Sequence, residues 1–307
     1  MKAMTNRTRL EGYIYDHKLE LRVSGENSKN PGTEFIMGTL SVATDDACLN
    51  VVPVHFTYVT AKTAKGNPNA TFSTLKNIVD GVVGTVMNNG KDNAGKVRID
   101  SAIGLNEFYS DRNGAEELVS AKRNEGGFVH TVDILSADEK THNTFEADMV
   151  ITSVTRNEAN EERKIPEKVI VRGCIFDFRK RVLPVEFSVT NARGMDYFES
   201  LDASPKTPVF TKVWGRQISE TVTNTKEEES GWGEANVLTS AYTRRDWIIT
   251  GSNPEPYEWD SEDTVTAAEL TEALAQREID LAAIKQRQDE YKASKNAPAA
   301  TVGGFNF

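Results

Sequence analysis

Val52-Pro53-Val54-His55-Phe56 is answered later in the chain by Leu183-Pro184-Val185-Glu186-Phe187, two alternating apolar runs with a proline at the same place. The match has company on both sides. Downstream, Thr71-Phe72-Ser73-Thr74-Leu75 is answered by Tyr197-Phe198-Glu199-Ser200-Leu201, and a strand ending Ile103-Gly104 by one ending Trp214-Gly215. Upstream, Leu10 to Val23 corresponds to Phe145 to Thr155, and Phe35 to Thr44 to Lys168 to Phe178. Farther on, Phe128 to Leu135 corresponds to Arg244 to Thr250. Matches that keep their order and spacing point to an internal duplication.

Each copy reads β-β-β-α-β-β. In the first, Gly12-Tyr13-Ile14-Tyr15 and Leu19-Glu20-Leu21-Arg22-Val23 alternate as a strand does, and Ser24 to Gly32 is a loop rich in Gly, Asn, Ser and Pro. Strands are expected at Glu34 to Thr44 and Leu49 to Val59, paired across the turn residues Asp45-Asp46. Phe72, Leu75, Ile78, Val79 and Val82 recur at helical spacing, and strands follow at Lys96 to Phe108 and Phe128 to Leu135. Five strands with a helix between the third and fourth is the order of the OB-fold, a Greek-key barrel whose face and loops hold oligonucleotides or oligosaccharides. The expected fold is therefore mainly β: two OB-fold-like five-stranded barrels in tandem, over residues 1–135 and 136–258. Residues 259–307 add an acidic linker, an amphipathic helix and an aromatic tail.

Composition narrows the function classes. At 307 residues, 38% hydrophobic and 27% charged, the chain is a globular protein with material for two domains. A net charge of −10 argues against coating duplex DNA or an anionic membrane by bulk charge, so any nucleic-acid site must be a local patch. The first 135 residues are nearly charge-balanced, and the acidity lies in the second unit and the C-terminal segment. Cys48 and Cys174 stand far apart in apolar runs and are expected to be buried free thiols. The polar start and the lack of any apolar run of membrane-spanning length suggest a cytosolic protein without a membrane partner. His17, His55, His130 and His142 show no metal-ligand spacing, and no phosphate loop or nucleophile elbow is present. The chain is read as a non-enzyme with no cofactor and no metal.

Gly38-Thr39-Leu40-Ser41-Val42-Ala43-Thr44, followed by Asn50-Val51-Val52-Pro53-Val54-His55-Phe56, resembles the second and third strands of a single-stranded DNA-binding protein. Taken with the duplicated unit, the chain resembles replication-type single-stranded DNA-binding proteins encoded by bacteriophages. That resemblance implies sequence-independent binding and protection of single strands in replication or recombination, self-association on DNA, and action in a bacterial host's cytoplasm. Bacterial members usually end in an acidic tail with a terminal Phe that recruits partners. Here Thr301-Val302-Gly303-Gly304-Phe305-Asn306-Phe307 keeps the aromatic end without the acidic run.

Single-strand binding needs flat π surfaces for bases and cations for phosphates. Tyr13 and Tyr15 are expected on one side of a strand that also carries Lys18 and Arg22, and Phe176 and Phe178 on one face beside Arg179, Lys180 and Arg181. A second set is expected in the loops that join the last two strands of each unit, a common ligand-contacting connection in OB-folds. It comprises Phe108, Tyr109, Arg112, Lys122 and Arg123 in the first unit, and Trp214, Arg216, Trp232, Tyr242, Arg244 and Arg245 in the second. Glu227, Glu228 and Glu229 oppose this reading in the second unit. The competing assignment places the same aromatics in cores or subunit interfaces of a structural β-rich assembly or virion protein.

In the last segment, Thr266 and Glu269 form a capping-box pattern ahead of Leu270, Leu274, Leu281, Ile284 and Tyr291. Arg277 and Gln288 interrupt that seam, which favours a helix folded back on a barrel over a coiled coil. Phe305 and Phe307 then end a Gly-containing stretch suited to docking on a replication partner or a neighbouring subunit.

Overall fold

A computed structural model of the chain describes residues 4–111, 114–160, 165–228, 231–232, 236–260 and 264–296. The expected element order is found twice. The first half runs β1 (Asn6–Val23), β2 (Glu34–Ala43), β3 (Val51–Thr60), α1 (Ala70–Val79), a short α2 (Val86–Asn89), β4 (Lys96–Ser110) and β5 (Glu117–Thr131). The second runs β6 (Asn143–Asn157), β7 (Lys168–Phe176), β8 (Val182–Val189), α3 (Ala192–Ser200), β9 (Val209–Glu228) and β10 (Asn236–Ser252). A long α4 (Ala267–Asn296) follows.

Backbone pairing closes each half on itself. β1 pairs with β2, β2 with β3, β3 in parallel with β5, β5 with β4, and β4 back with β1. The second half repeats that circuit through β6, β7, β8, β10 and β9, its parallel step being the bridge between Ser188 and Ile248. The two rings are joined by direct antiparallel pairing of β1 and β6, from Asn6 opposite Ala147 to Leu10 opposite Asn143. All ten strands thus form one hydrogen-bonded sheet.

Strand alternation decides which residues enter each core. Val52, Val54 and Phe56 are buried while Pro53 and His55 between them are partly exposed. Leu183, Val185 and Phe187 are buried while Pro184 and Glu186 are exposed, so the two matched pentapeptides do the same work. Phe72, Leu75 and Ile78 on α1 seal the first core, and Met195 and Phe198 on α3 seal the second. Each helix starts on an asparagine cap, Asn69 accepting from the Thr71 N–H and Asn191 from the Gly194 N–H, both at 3.2 Å. A third cluster lies outside the second ring, where Tyr257, Trp259, Val265, Leu270 and Ala273 cover Val150, Cys174, Phe176 and Phe210.

Several expectations change. β1 is one strand from Asn6, not two runs, and its ladder skips Tyr15, a bulge that flips the inward phase between Ile14 and Leu19. β5 begins at Glu117 instead of Phe128, and β10 at Asn236 instead of Arg244, so both long connections are hairpins of paired strands. The register match at the fourth strand also moves. Ile14 and Met149 take the same place opposite β2 and β7, so Phe145 answers Leu10; Leu10 lies opposite Ile99 and Phe145 opposite Gly215, so Gly215 answers Ile99 and not Gly104. Cys48 sits half-buried in the β2–β3 turn at φ 55°, while Cys174 is buried in β7; both thiols are free.

One device recurs at the first residue of β1 and of β6. The Asn6 side chain, at the start of β1, accepts from the Ile103 N–H at 2.9 Å and donates to the Ile103 carbonyl at 3.0 Å on the edge of β4. Asn143, at the start of β6, does the same to Gln217 on β9, at 3.0 and 2.6 Å. Gln217 also exchanges two carboxamide bonds with Asn124 of β5, at 2.8 and 2.9 Å, and its carbonyl accepts from Asn50. These buried amides leave no polar group of Gln217 idle and fix the second hairpin against the first ring.

The capping box forms as read, with the Glu269 N–H donating to Thr266 Oγ1 and the Thr266 N–H to Glu269 Oε2. The two residues that break α4's apolar seam face a polar strand edge. Arg277 makes an ion pair with Glu107 at 2.6 Å that is nearly buried on both sides, and the Gln288 carboxamide accepts the Tyr109 N–H and donates to the Tyr109 carbonyl. Among the described residues no helix is long and apolar enough to cross a membrane.

Candidate nucleic-acid interface

The predicted residues fall into four groups in space. On β1, Tyr13 is half-buried with Lys91 and Lys96 above its ring, at 5.1 and 5.8 Å from the centroid. Tyr15 is the bulge residue, so strand alternation does not place the two tyrosines as a pair. Lys18 and Arg22 lie exposed farther along, Arg22 paired with Glu20 at 2.5 Å.

The second group is the β7–β8 turn, and here the expected shared face is lost. Phe176 is wholly buried in the outer cluster of the second ring, whereas Phe178 is 86% exposed, because the strand ends at Phe176 and the chain turns. Asp177 accepts from the Arg179 and Arg181 N–H groups, both at 2.8 Å, and Lys180 takes φ 64° at the tip. Arg179 sits over the Phe178 ring at 5.1 Å, and Arg181 pairs with Asp177.

The third group belongs to the β4–β5 hairpin. Phe108 is exposed, but Tyr109 is half-covered by α4, with Lys285 over its ring at 5.5 Å. Lys122 is turned inward against the second ring. Its ammonium donates to the Glu186 carbonyl and lies 5.0 Å from the Phe187 centroid, and burial drives its pKa down to about 8. Arg123 pairs with Glu125 at 2.9 Å. Burial, and then the charges of Arg123 and of Arg245 from the second ring, hold the His55 imidazole below its ordinary range. Arg112 lies outside the described residues.

The fourth group is the β9–β10 hairpin. Trp232 stands 91% exposed at its connection, and Tyr242 and Arg245 are exposed while Arg244 is half-buried on β10. The side chains of Glu227 and Glu228, and all of Glu229, lie outside what is described. Trp214 and Arg216 lie on β9 itself, not in the connection, and they share its outer face with Lys212 by simple alternation. The Trp214 indole lies against Gly251, where no side chain intervenes.

Around Trp214 the structure gathers residues that sequence reading passed over. A groove of about 840 Å³ runs along the joint of the rings and is lined by Arg7, Arg9, Lys140, Lys212, Trp214 and Arg216 among others. Two carboxylates share it. Glu146 takes Arg7 at 2.5 Å and Lys212 at 3.0 Å, and Asp100 takes Arg9 at 2.8 Å. Burial alone raises Glu146, but hydrogen bonds from Arg7 and Lys212 outweigh it and hold the carboxyl below its usual range. The one local signal was Arg7-Thr8-Arg9, two cations on one face of a strand.

Comparison with known proteins adds the family. The family model YorF matches residues 5–290, and the chain belongs to the YorF family. None of the curated proteins matches the chain. Among solved structures, it is similar to a deletion mutant of the single-stranded DNA binding protein from Thermus aquaticus, at 9% identity and TM-score 0.47, over 86% of this chain and 100% of that one. The wild-type protein from the same organism gives 8% identity and TM-score 0.45, over 84% and 96%.

Proposed function

We propose that this YorF-family chain binds single-stranded DNA without regard to sequence, through two tandem OB-folds, and protects strands during replication or recombination. Residues 1–135 and 136–258 form the two binding units, and residues 259–307 the accessory segment. The observation that carries this function is a set of large aromatics that neither core uses: Phe108, Phe178, Trp214, Trp232 and Tyr242 are all exposed. Arg179 lies over Phe178, and Arg216 and Lys212 flank Trp214 along its strand. Each such ring offers a base a stacking surface worth about 1 to 3 kcal/mol, and neighbouring cations follow the backbone. A protein of net charge −10 that sets Arg179 beside Phe178, and Lys212 and Arg216 beside Trp214, is suited to local polyanion sites. The role is one of binding, with no bond chemistry and no cofactor. The setting is a phage-infected bacterial cytoplasm, with self-association on the strand. Residues 297–307, which lie outside the described residues, carry Phe305 and Phe307 for docking on a replication partner.

Titration with a long unlabelled oligothymidine tests this function through the four tryptophans. Quenching that saturates and weakens with added salt is expected. Unchanged fluorescence, with no binding by sedimentation, overturns it.

A further inference from the structure

Arg7, Arg9, Lys140, Lys212 and Arg216 line one groove at the joint between the rings. Arg7 and Arg9 project two residues apart from β1, about 6.5 Å along the strand. Lys212, Trp214 and Arg216 project from β9 in the same alternation. β6 lies between these strands and pairs with both, with Glu146 opposite Arg7 on one side and opposite Trp214 on the other. Two rows of cations therefore stand on either side of one strand, roughly 10 Å apart at ordinary sheet spacing. One indole lies among them, in a groove of about 840 Å³.

We propose that this groove is where a single DNA strand crosses from one ring to the other, with phosphates on Arg7, Arg9, Lys212 and Arg216 and one base stacked on Trp214. The assignment rests on the single-strand function proposed above and goes beyond it by fixing a path. An exposed indole face needs an unstacked base, which a single strand supplies and a duplex does not. Glu146 has a defined part in this crossing. In the free protein its carboxylate occupies Arg7 and Lys212 as a phosphate oxygen would, so the strand must displace it, and Glu146 lowers affinity. The β1–β6 pairing and the hydrogen bonds between the Asn143 carboxamide and the Gln217 main chain hold both cation rows in one backbone frame, so the site exists before the ligand arrives.

The experiment measures oligothymidine affinity against salt for the full chain and three variants, each checked for an unchanged melting temperature. Arg7→Gln with Arg9→Gln should loosen binding about tenfold and reduce the salt slope by about two. Glu146→Gln should tighten binding at least threefold, a gain that damage to the fold does not imitate. Trp214→Phe should remove a distinct share of the tryptophan quenching. If wild type binds and all three variants match it, the strand does not cross the joint and only the function stands. If wild type fails to bind at any salt, the function falls and the path with it.

Discussion

The two hairpins that close the two rings occupy equivalent places and are held in different ways. The β4–β5 hairpin is strapped down: Arg277 pairs with Glu107, Gln288 takes both main-chain groups of Tyr109, and Lys285 and Lys292 reach Glu116. Lys122 on its far strand is folded against Phe187 of the other ring. The β9–β10 hairpin is anchored at its base, where Gln217 meets Asn124, Asn143 and Asn50. From Glu220 to Glu228 its first strand pairs with the second, and Trp232 stands exposed at the turn. A duplicated topology has thus not kept a duplicated surface. In the first copy Tyr109, Lys122 and Arg123 are engaged within the molecule, whereas in the second Trp232, Tyr242 and Arg245 are exposed.

Three measurements bear on that contrast. The largest effect is expected from Arg277→Ala, which leaves Glu107 charged and nearly buried without its partner, at a cost of about 3 kcal/mol. Amide exchange should accelerate through residues 105–110 and 117–122 and stay unchanged in β10; equal acceleration in both hairpins would erase the distinction.

Lys122→Met should act in the opposite direction, stabilising by about 1 kcal/mol at pH 7, since the native state no longer has to hold a desolvated ammonium. With a folded pKa of about 8 against about 10.4 unfolded, the native state binds fewer protons between those values, so wild-type stability rises with pH through that window. The advantage of the methionine variant should be full below pH 8 and fade towards pH 10 in thermal melts. A constant advantage would locate the effect in packing.

The smallest effect on stability is expected from Trp232→Ala, within about 0.5 kcal/mol, because its ring buries little. Its single-strand affinity should nonetheless drop about tenfold, which equilibrium titration reads. A large loss of stability with unaltered binding would make Trp232 a packing residue.

Much of the architecture was legible because burial leaves a period in the sequence. Wherever a strand has one face in a core, as at Val52-Pro53-Val54-His55-Phe56, alternation gave its place, and the Thr266 and Glu269 pattern located the start of α4. The pattern failed where no apolar face enters a core. Glu117 to Arg123 extends beyond the ring and shows no apolar alternation, and Gly126 and Gly127, at φ 66° and 115°, sit at the β4–β5 register shift and read as loop. Phe178 was misplaced for a related reason: alternation holds only while the strand lasts, and β7 stops two residues earlier. The groove was least legible, because Arg7 and Lys212 are more than 200 residues apart and meet only through the pairing of β6 with both β1 and β9.

The side-chain amides laid along the strand edges carry a consequence for how crowded the protein can be. A strand edge with open N–H and carbonyl groups is a template on which a further chain can add, and such addition is the first step of aggregation. Asn6 and Gln288 fill the edge of β4 at Ile103 and Tyr109, and Asn143 and Asn50 fill that of β9 at Gln217 and Ser219. Each carboxamide satisfies the edge as a neighbouring peptide would, yet offers no second edge for the next strand. A further copy of the chain therefore meets no open peptide edge at these four positions.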